Sequence, residues 1–339
     1  MRVTIRDVAE KVGVSPMTVS RVINGSSRVS DSTRERVQSG IEELGFIPNQ
    51  IATGLSRRRT NTFGVIVPDI ANPFWTHVVR GIEEVAWRAG CHVILCNTHA
   101  NLERERGYVN DMLAFQVDGV LIGPVGDESR SNLKVLTNNG VPFVLVDRSV
   151  KGYPADIVQG DSIDGARRIV KHLIDSGHQR IAIISDTSSL STARDRLVGY
   201  HTALETAGIP FDESLVVETS TVDSKMACEA ALELFALSVP PTAIFAINSV
   251  AAVGVMEAAD ICGLGVPTDI SVACFDDENV DRFRPFFTSI IQPAETFGTI
   301  GAQLVLDRLA GHIDHTYRKV VLPADMIVRG STSELMLAT

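Results

Sequence analysis

No apolar run in the sequence approaches the roughly 18–20 residues that a membrane helix needs. The opening residues, MRVTIRDVAEK, also lack an apolar signal region. Together these absences argue against a membrane protein or a secreted one and set the expectation of a cytoplasmic protein. Cysteine is scarce: Cys91, Cys96, Cys228, Cys262 and Cys274 are odd in number and form no CxxC pair. Buried free thiols are therefore expected, rather than disulfides or zinc ligands. Only His312 and His315 among the eight histidines lie close together; with Asp314 they read as a solvated loop, so neither a metal nor a cofactor is expected. A glycine-rich phosphate loop, a nucleophile elbow and a paired-histidine metal motif are missing as well, which argues against an enzyme.

What is present is divided in charge. The formal net charge is −10 over 339 residues, yet residues 1–59 carry ten Lys and Arg against six Asp and Glu, a balance of +4, whereas residues 60–339 carry 21 against 35, a balance of −14. A small basic head on a large acidic body suits a phosphate-binding module joined to a domain that does not touch nucleic acid. The length, with 45% hydrophobic residues, allows two or three domains with sizeable cores.

The head reads as helix, tight turn, helix over Ile5 to Asn24. Ile5, Val8, Ala9 and Val12 recur at i, i+3, i+4 and i+7 and place one apolar stripe on a short helix. Thr4 can cap it in a capping-box arrangement with Asp7, and Gly13 ends it. Ser15 followed by Pro16 restarts the chain, a serine cap before a proline at the first helical position, and Gly25 stops the second helix. Val19, Val22 and Ile23 share its buried face, leaving Pro16, Met17, Ser20 and Arg21 outward at the end that a recognition helix offers to the major groove. A third helix from about Ser32 to Leu44, capped by Ser30 or Asp31, turns Val37, Ile41 and Leu44 inward. Gly45 closes it, and Phe46 and Ile47 are expected to fold back onto the core. Pro48 begins a linker, PNQIATGLSRRRTNT, where Gly54 disfavours an isolated helix by about 1 kcal/mol relative to alanine.

The runs DVAEKVGVSPMTVSRVIN (Asp7 to Asn24), RVSDSTRERV and ELGFIPNQIATGLS (through Ser56) resemble the head of the lactose-repressor (LacI/GalR) family of bacterial regulators. The resemblance is nearly contiguous over the first sixty residues. It implies operator contacts from Thr4, Ser15, Pro16, Met17, Thr18, Ser20, Arg21 and Asn24. It also implies a hinge helix near Asn49 to Ser56, formed on DNA, in which Asn49 and Ala52 make contacts and Leu55 of each of two subunits wedges into the minor groove. Thr53 and Gly54 depart from the arginine and serine that many members carry.

From Thr62 the pattern changes to short Val- and Ile-rich runs alternating with helical stretches: FGVIVP (63–68), HVILCN (92–97), GVLIG (119–123), PFVLV (142–146), RIAII (180–184), AIFAI (243–247), SVACF (271–275) and TSII (288–291). Such runs read as strands buried on both faces of parallel, doubly wound sheets, and two sheets fit the length. In open α/β sheets a ligand binds beyond the carboxyl ends of the strands. Those ends carry Asn72, Phe74 and Trp75; Asp147 and Arg148; Arg196; Asn248; Phe275 and Asp276; and Gln292. Paired donors and acceptors beside aromatic faces suit a polyhydroxylated ligand.

Residues 60–330 resemble the type I periplasmic-binding-protein fold that forms the effector core of the same family, and the ANPFW, VDR and FDD pieces look closest to its ribose-type members. The resemblance implies sugar contacts from Asn72, Phe74, Asp147, Arg148, Arg196, Asn248, Asp276 and Gln292. Ser249 and Gly123 depart from that pattern, while His178 in GHQRIAII reads as structural. The expected organisation is an α/β chain: an all-α head over 1–47, a hinge over 48–60, one lobe from 61–161 with 293–320, a second from 162–292 with 321–331, and a tail over 332–339. The tail is too short for a tetramer-forming heptad helix, so a homodimer on a pseudo-palindromic double-stranded operator is expected. The function implied is a transcriptional regulator, a repressor, controlled by a small sugar or related metabolite. A purine corepressor is the alternative within that class. A transport solute-binding protein is the alternative outside it, disfavoured by the basic head and the absent signal region.

Overall fold

The computed structural model describes residues 3–47, 59–221, 223–276, 286–311 and 316–335. The chain divides into two compact units, Met1–Asn61 and Thr62–Thr339. Asn49, Ala52 and Leu55, and the group His312, Asp314 and His315, lie outside the described residues.

The smaller unit is three helices, α1 (Ile5–Val12), α2 (Pro16–Ile23) and α3 (Asp31–Leu44). The Thr4 hydroxyl accepts from the Asp7 amide while the Asp7 carboxylate accepts from the Thr4 amide at 2.7 Å, so two orphan donors are satisfied together. Gly13, in the left-handed region at φ 69°, turns the chain out of α1, and the Val14 amide donates to the Ala9 carbonyl at 3.0 Å. Ser15 caps α2 by accepting from the Thr18 amide at 3.1 Å. Val8, Ala9, Val19, Val22 and Val37 are the buried centre, with Ile41, Leu44 and Phe46 packed around it. Ser30 stands at the cap position of α3, but its hydroxyl meets Thr33 Oγ1 instead of a backbone amide. Only one of the two residues expected to fold back does so. The Phe46 amide donates to the Ile41 carbonyl and its ring joins the core, whereas Ile47, one residue on, faces away and is 76% exposed.

The larger unit holds two six-stranded sheets. The first has the order β2-β1-β3-β4-β5-β11, from β1 (Thr62–Val67), β2 (His92–Asn97), β3 (Gly119–Ile122), β4 (Phe143–Val146), β5 (Asp156–Gly160) and β11 (Lys319–Leu322), with every pair parallel. The second has the order β7-β6-β8-β9-β10-β12, from β6 (Ile181–Ser185), β7 (Val216–Glu218), β8 (Ala243–Ala246), β9 (Ser271–Phe275), β10 (Thr288–Ile291) and the antiparallel edge strand β12 (Asp325–Ile327). Helices cover both faces of each. On the first sheet, α4 (Pro73–Arg88) and α11 (Ala294–Leu309) lie opposite α5 (Leu102–Ala114) and α6 (Arg130–Asn138). On the second, α7 (Ser162–Asp175) and α8 (Ser191–Thr206) lie opposite α9 (Ser224–Phe235) and α10 (Ser249–Cys262).

The chain passes between the sheets after β5, after β10 and after β11. Because β11 runs to Leu322, the last passage falls two residues beyond the boundary of 320 set from the sequence. Residues 331–335 are not free: Ser331 Oγ donates to the Val272 carbonyl, and the Ser333 and Leu335 amides donate to Ser271 and Ser176. His178 belongs to the same seam, 2% exposed between Thr242 Oγ1 and the Ser333 carbonyl.

Helices α4 and α11 approach closely enough to require glycine. A methyl group on Gly298 would lie 2.0 Å from the Val78 carbonyl oxygen, and one on Gly81 would lie 2.1 Å from that of Glu295. Gly298→Ala should therefore lower the unfolding free energy of the full chain by about 1–3 kcal/mol despite alanine's better helix propensity. A melting temperature equal to or above wild type would show that the two helices are not in this contact.

Candidate functional site

The carboxyl ends of the two sheets face one another across a cavity of ≈ 240 Å³ whose wall includes Asn72, Trp75 and Arg148 from the first lobe and Asp186, Thr221 and Asn248 from the second. A narrower recess of ≈ 40 Å³ is lined in addition by Phe74, Asp147, Thr192, Arg196 and Asp276. Each wall residue is delivered by local chemistry. Asn72 caps α4, accepting from the Phe74 amide at 3.0 Å, and Asn248 caps α10, accepting from the Ala251 amide at 2.8 Å. Both asparagines thus serve as caps and as wall residues. The second amide arm of Asn248 donates to Thr221 Oγ1 at 2.9 Å, and that hydroxyl donates in turn to the Asp186 carboxylate.

Asp147 and Asp276 follow β4 and β9 with positive φ, 67° and 59°, a conformation costly to most side chains and tolerated best by Asp, Asn and Gly. The turn aims both carboxyls into the recess. Between them lies Arg196 of α8, 6% exposed, its Nη1 donating to the Ile247 carbonyl at 2.6 Å and its Nη2 3.9 Å from Asp276. The guanidinium carbon stands 3.8 Å from the centre of the Phe275 ring. Arg148 Nε lies 3.6 Å from the Asp147 carboxylate, and its guanidinium is 5.9 Å from the Trp75 ring centre.

Two residues expected on the wall stand behind it. Phe275, the last residue of β9, is fully buried against Gly165 and supports Arg196 from below, because the strand alternation that sends Asp276 toward the recess sends its predecessor into the core. Gln292 is 1% exposed and donates from Nε2 to Asp276 at 2.8 Å, so it holds the carboxylate in place. Gly123 has a packing reason for its missing side chain: the Trp75 ring lies 2.2 Å from where its Cβ would be. Asp186, Thr192, Thr221 and Glu128 were not singled out from the sequence. Asp186 directly follows β6 and could have been found by the strand-end criterion, whereas Thr221 follows the three-residue β7, which carries no recognisable strand pattern.

Burial dominates the electrostatics. Loss of water raises the carboxyl of Asp147 above its ordinary range, opposed by Arg148 and Arg196. It raises Asp276 from 3.8 to about 7, opposed by Arg196 and Gln292 and reinforced by Asp147.

In the head, Pro16, Met17 and Arg21 of α2 are exposed, Met17 at 63%, while Thr18 and Ser20 are half-exposed. The hydroxyls of Thr4 and Ser15 are occupied as caps. Asn24 is half-buried; its Nδ2 reaches Ser20 Oγ at 3.4 Å, and its Oδ1 is buried without a hydrogen-bond partner.

A helix-turn-helix unit followed by a two-lobed α/β body with a polar interlobe cleft defines a DNA-binding regulator with a ligand-sensing core. The family of bacterial regulatory proteins of the lacI type matches residues 4–49, and the periplasmic binding protein-like domain matches residues 170–332. The HTH-type transcriptional regulator DegA of Bacillus subtilis (strain 168) is 36% identical over 344 residues, covering 99% of each chain. Among solved structures, the lac repressor dimer bound to operator and the anti-inducer ONPF superimposes with a TM-score of 0.84 at 29% identity, covering 98% of this chain and 100% of that one. The transcriptional regulator CelR in complex with cellobiose gives 0.71 at 34% identity, covering 97% and 100%. The chain belongs to the LacI family of transcriptional regulators, and its body is a periplasmic-binding-protein-like core, not an enzyme.

Because Asp276 in the folded protein sits near 7 while the unfolded chain titrates near 3.8, native protein keeps a proton that the unfolded chain has released. That contribution to stability is full below the lower value and is lost as the pH rises through about 7. Asp276→Asn should remove it: between pH 5 and 7.5 the stability of the ligand-free wild type should fall by about 2 kcal/mol more than that of the variant. Parallel profiles from denaturant titrations would place Asp276 in water.

Proposed function

We propose that this regulator senses a small, uncharged, polyhydroxylated metabolite, a pentose or hexose, held in the recess by Asn72, Asp147, Arg148, Arg196, Asn248 and Asp276, with Phe74 and Trp75 against its apolar face. The observation that carries this reading is a set of buried, unpartnered polar atoms. Asp147 Oδ1, Arg148 Nε and Arg196 Nε are buried without a hydrogen-bond partner, and each such group costs about 1–3 kcal/mol until something pairs with it. Vicinal hydroxyls both donate and accept, and so match a carboxylate next to a guanidinium. The cavity wall carries the carboxylates of Asp69, Glu128, Asp147, Asp186 and Asp276 against the guanidiniums of Arg148 and Arg196. Both cations already face those acids, so a phosphorylated sugar would meet net repulsion.

On the DNA side, α2 enters the major groove through Pro16, Met17, Thr18, Ser20 and Arg21. Ser15 and Asn24 at the ends of α2, with Thr4 at the start of α1, contact the DNA backbone, and Asn49, Ala52 and Leu55 of residues 48–60 contact the DNA at the centre of the site, Leu55 in the minor groove. Two copies read a pseudo-palindrome, and the lobe arrangement favoured by the effector alters operator affinity by about 1–3 kcal/mol, the usual size of such couplings. The lobe boundaries are those of the two sheets, and the protein works where the DNA is, in the cytoplasm.

Thermal-shift titration of the full chain with pentoses, hexoses, their phosphates and purines tests the effector. At a hundredfold excess over Kd the right ligand adds about 2.7 kcal/mol. Asp147→Asn should abolish that shift and leave operator binding intact. Stabilisation by a purine or by a sugar phosphate, with none by free sugars, would overturn the assignment. For the head, selection of operators from random duplexes followed by Arg21→Ala should relax one position of the half-site at a loss of about 1–3 kcal/mol. An unchanged preference would remove Arg21 from base readout.

A further inference from the structure

The two loops that wall the outer end of the cavity also grip each other. Asp127 stands in the turn after β3, in the first lobe, and Arg194 on the first turn of α8, in the second. Arg194 donates from Nη1 to Asp127 Oδ2 at 2.9 Å and from Nη2 to Oδ1 at 3.4 Å, a two-pronged pair with side chains 33% and 26% exposed. Each partner is braced on its own side. Asp127 Oδ1 accepts from the Lys151 amide at 2.8 Å, and Arg194 Nη1 donates to the Ser188 carbonyl at 2.7 Å. Beside the ion pair, the Asp127 amide donates to the Ser189 carbonyl at 3.2 Å, and the Ser149 amide donates to Ser191 Oγ at 2.9 Å. Val125 and Glu128 on one loop, with Ser189 and Leu190 on the other, line the cavity. The lobes cannot separate at this end, nor a ligand leave through it, without breaking these bonds.

We propose that Asp127 and Arg194 form an interlobe clasp that sets the balance between closed and open lobes before any ligand binds, and so sets the effector concentration at which the regulator responds. The clasp is a geometric claim about the free protein. Its consequence for the response rests on the cleft being the effector site. An ion pair with most of each side chain shielded and both partners pre-positioned favours the closed arrangement, and added salt weakens it.

The protein carries its own reporter. Trp75 lines the cavity and is 3% exposed, whereas Trp87, the second tryptophan, is 76% exposed. With Trp87→Phe as background, acrylamide quenching of Trp75 emission in the ligand-free full chain reads how often the cleft opens. Asp127→Asn and Arg194→Gln, which keep shape and remove charge, should each raise the quenching constant by about two- to fivefold, the range expected for one partly shielded ion pair. The double variant should quench no more than either single one, as expected for two residues acting as one unit. Raising KCl from 0.05 to 0.5 M should shift the background protein the same way and leave the double variant unmoved. Unchanged quenching in both single variants, multiplicative effects in the double, or insensitivity of the background protein to salt would overturn the clasp. D-ribose and D-glucose, added as probes, separate the two claims. If the variants open the cleft as expected but neither these nor any other sugar protects Trp75, the clasp stands and the sugar reading falls.

Discussion

A guanidinium removed from water is the constraint around which the body of this protein is arranged. Arg196 is 6% exposed, and a buried cation is tolerated only when charge and hydrogen bonds from its surroundings replace its hydration. Here the replacement comes from both lobes. Asp276, the Ile247 carbonyl and the face of Phe275 belong to the second sheet, and Asp147 with its attached Arg148 to the first. The arrangement is under-satisfied: Arg196 Nε and Asp147 Oδ1 stay unpartnered, and Asp276 is driven to about 7. A core built only for stability would have replaced these charges with apolar groups; a polar recess left short of partners has hydrogen-bonding capacity to offer a small molecule.

The surrounding fold makes that recess possible. Parallel strands deliver all their carboxyl ends to one edge, so two facing sheets bring residues far apart in sequence to one place without long loops. Glycines at the helix contacts let α4 lie on α11, and α7 on α8, at backbone-to-backbone distance, which fixes where the helix N-termini open onto the cleft. The polar groups at the loops then do two jobs: Asn72 and Asn248 cap the N-termini of their helices and line the cavity, Asn248 with its amide nitrogen engaged by Thr221. Shared use of one side chain for folding and for lining the site is why single residues there read equally well as caps and as ligands.

Much of this was legible beforehand. The eight apolar runs that read as strands are all strands. In seven the nearly unbroken Val and Ile signature reflects burial on both faces, whereas β2, expected to be buried likewise, lies at a sheet edge and is half-exposed. The four that escaped had reasons: β5 opens with Asp156, a carboxylate buried between Arg308 and Arg318, and β7, β11 and β12 are short segments at or near sheet edges with half-exposed side chains. In the cleft the strand-end rule pointed to loops that line the cavity but could not say which of two neighbours faces it, and Phe275 and Gln292 stand behind Asp276. Asp186, the residue after β6, was within reach of the same rule, whereas Thr221 was invisible because its role depends on Asp186 and Asn248 across a loop.

The sequence alone settled most of the small head: its helices are local, the caps of α1 and α2 lie three residues from the amides they satisfy, and an apolar stripe is visible within a dozen residues, while the uncapped start of α3 and the outward Ile47 were decided by packing. It settled the class of the body as well, since doubly wound sheets follow from periodicity. What only the tertiary structure decided was the electrostatic state of the cleft and the grip between the lobes. The elevated carboxyl of Asp276, the enclosure of Arg196 and the pairing of Asp127 with Arg194 arise from groups up to 129 positions apart in the chain, from Asp147 to Asp276. Desolvation and Coulomb attraction act through space, and no local pattern of residues encodes them.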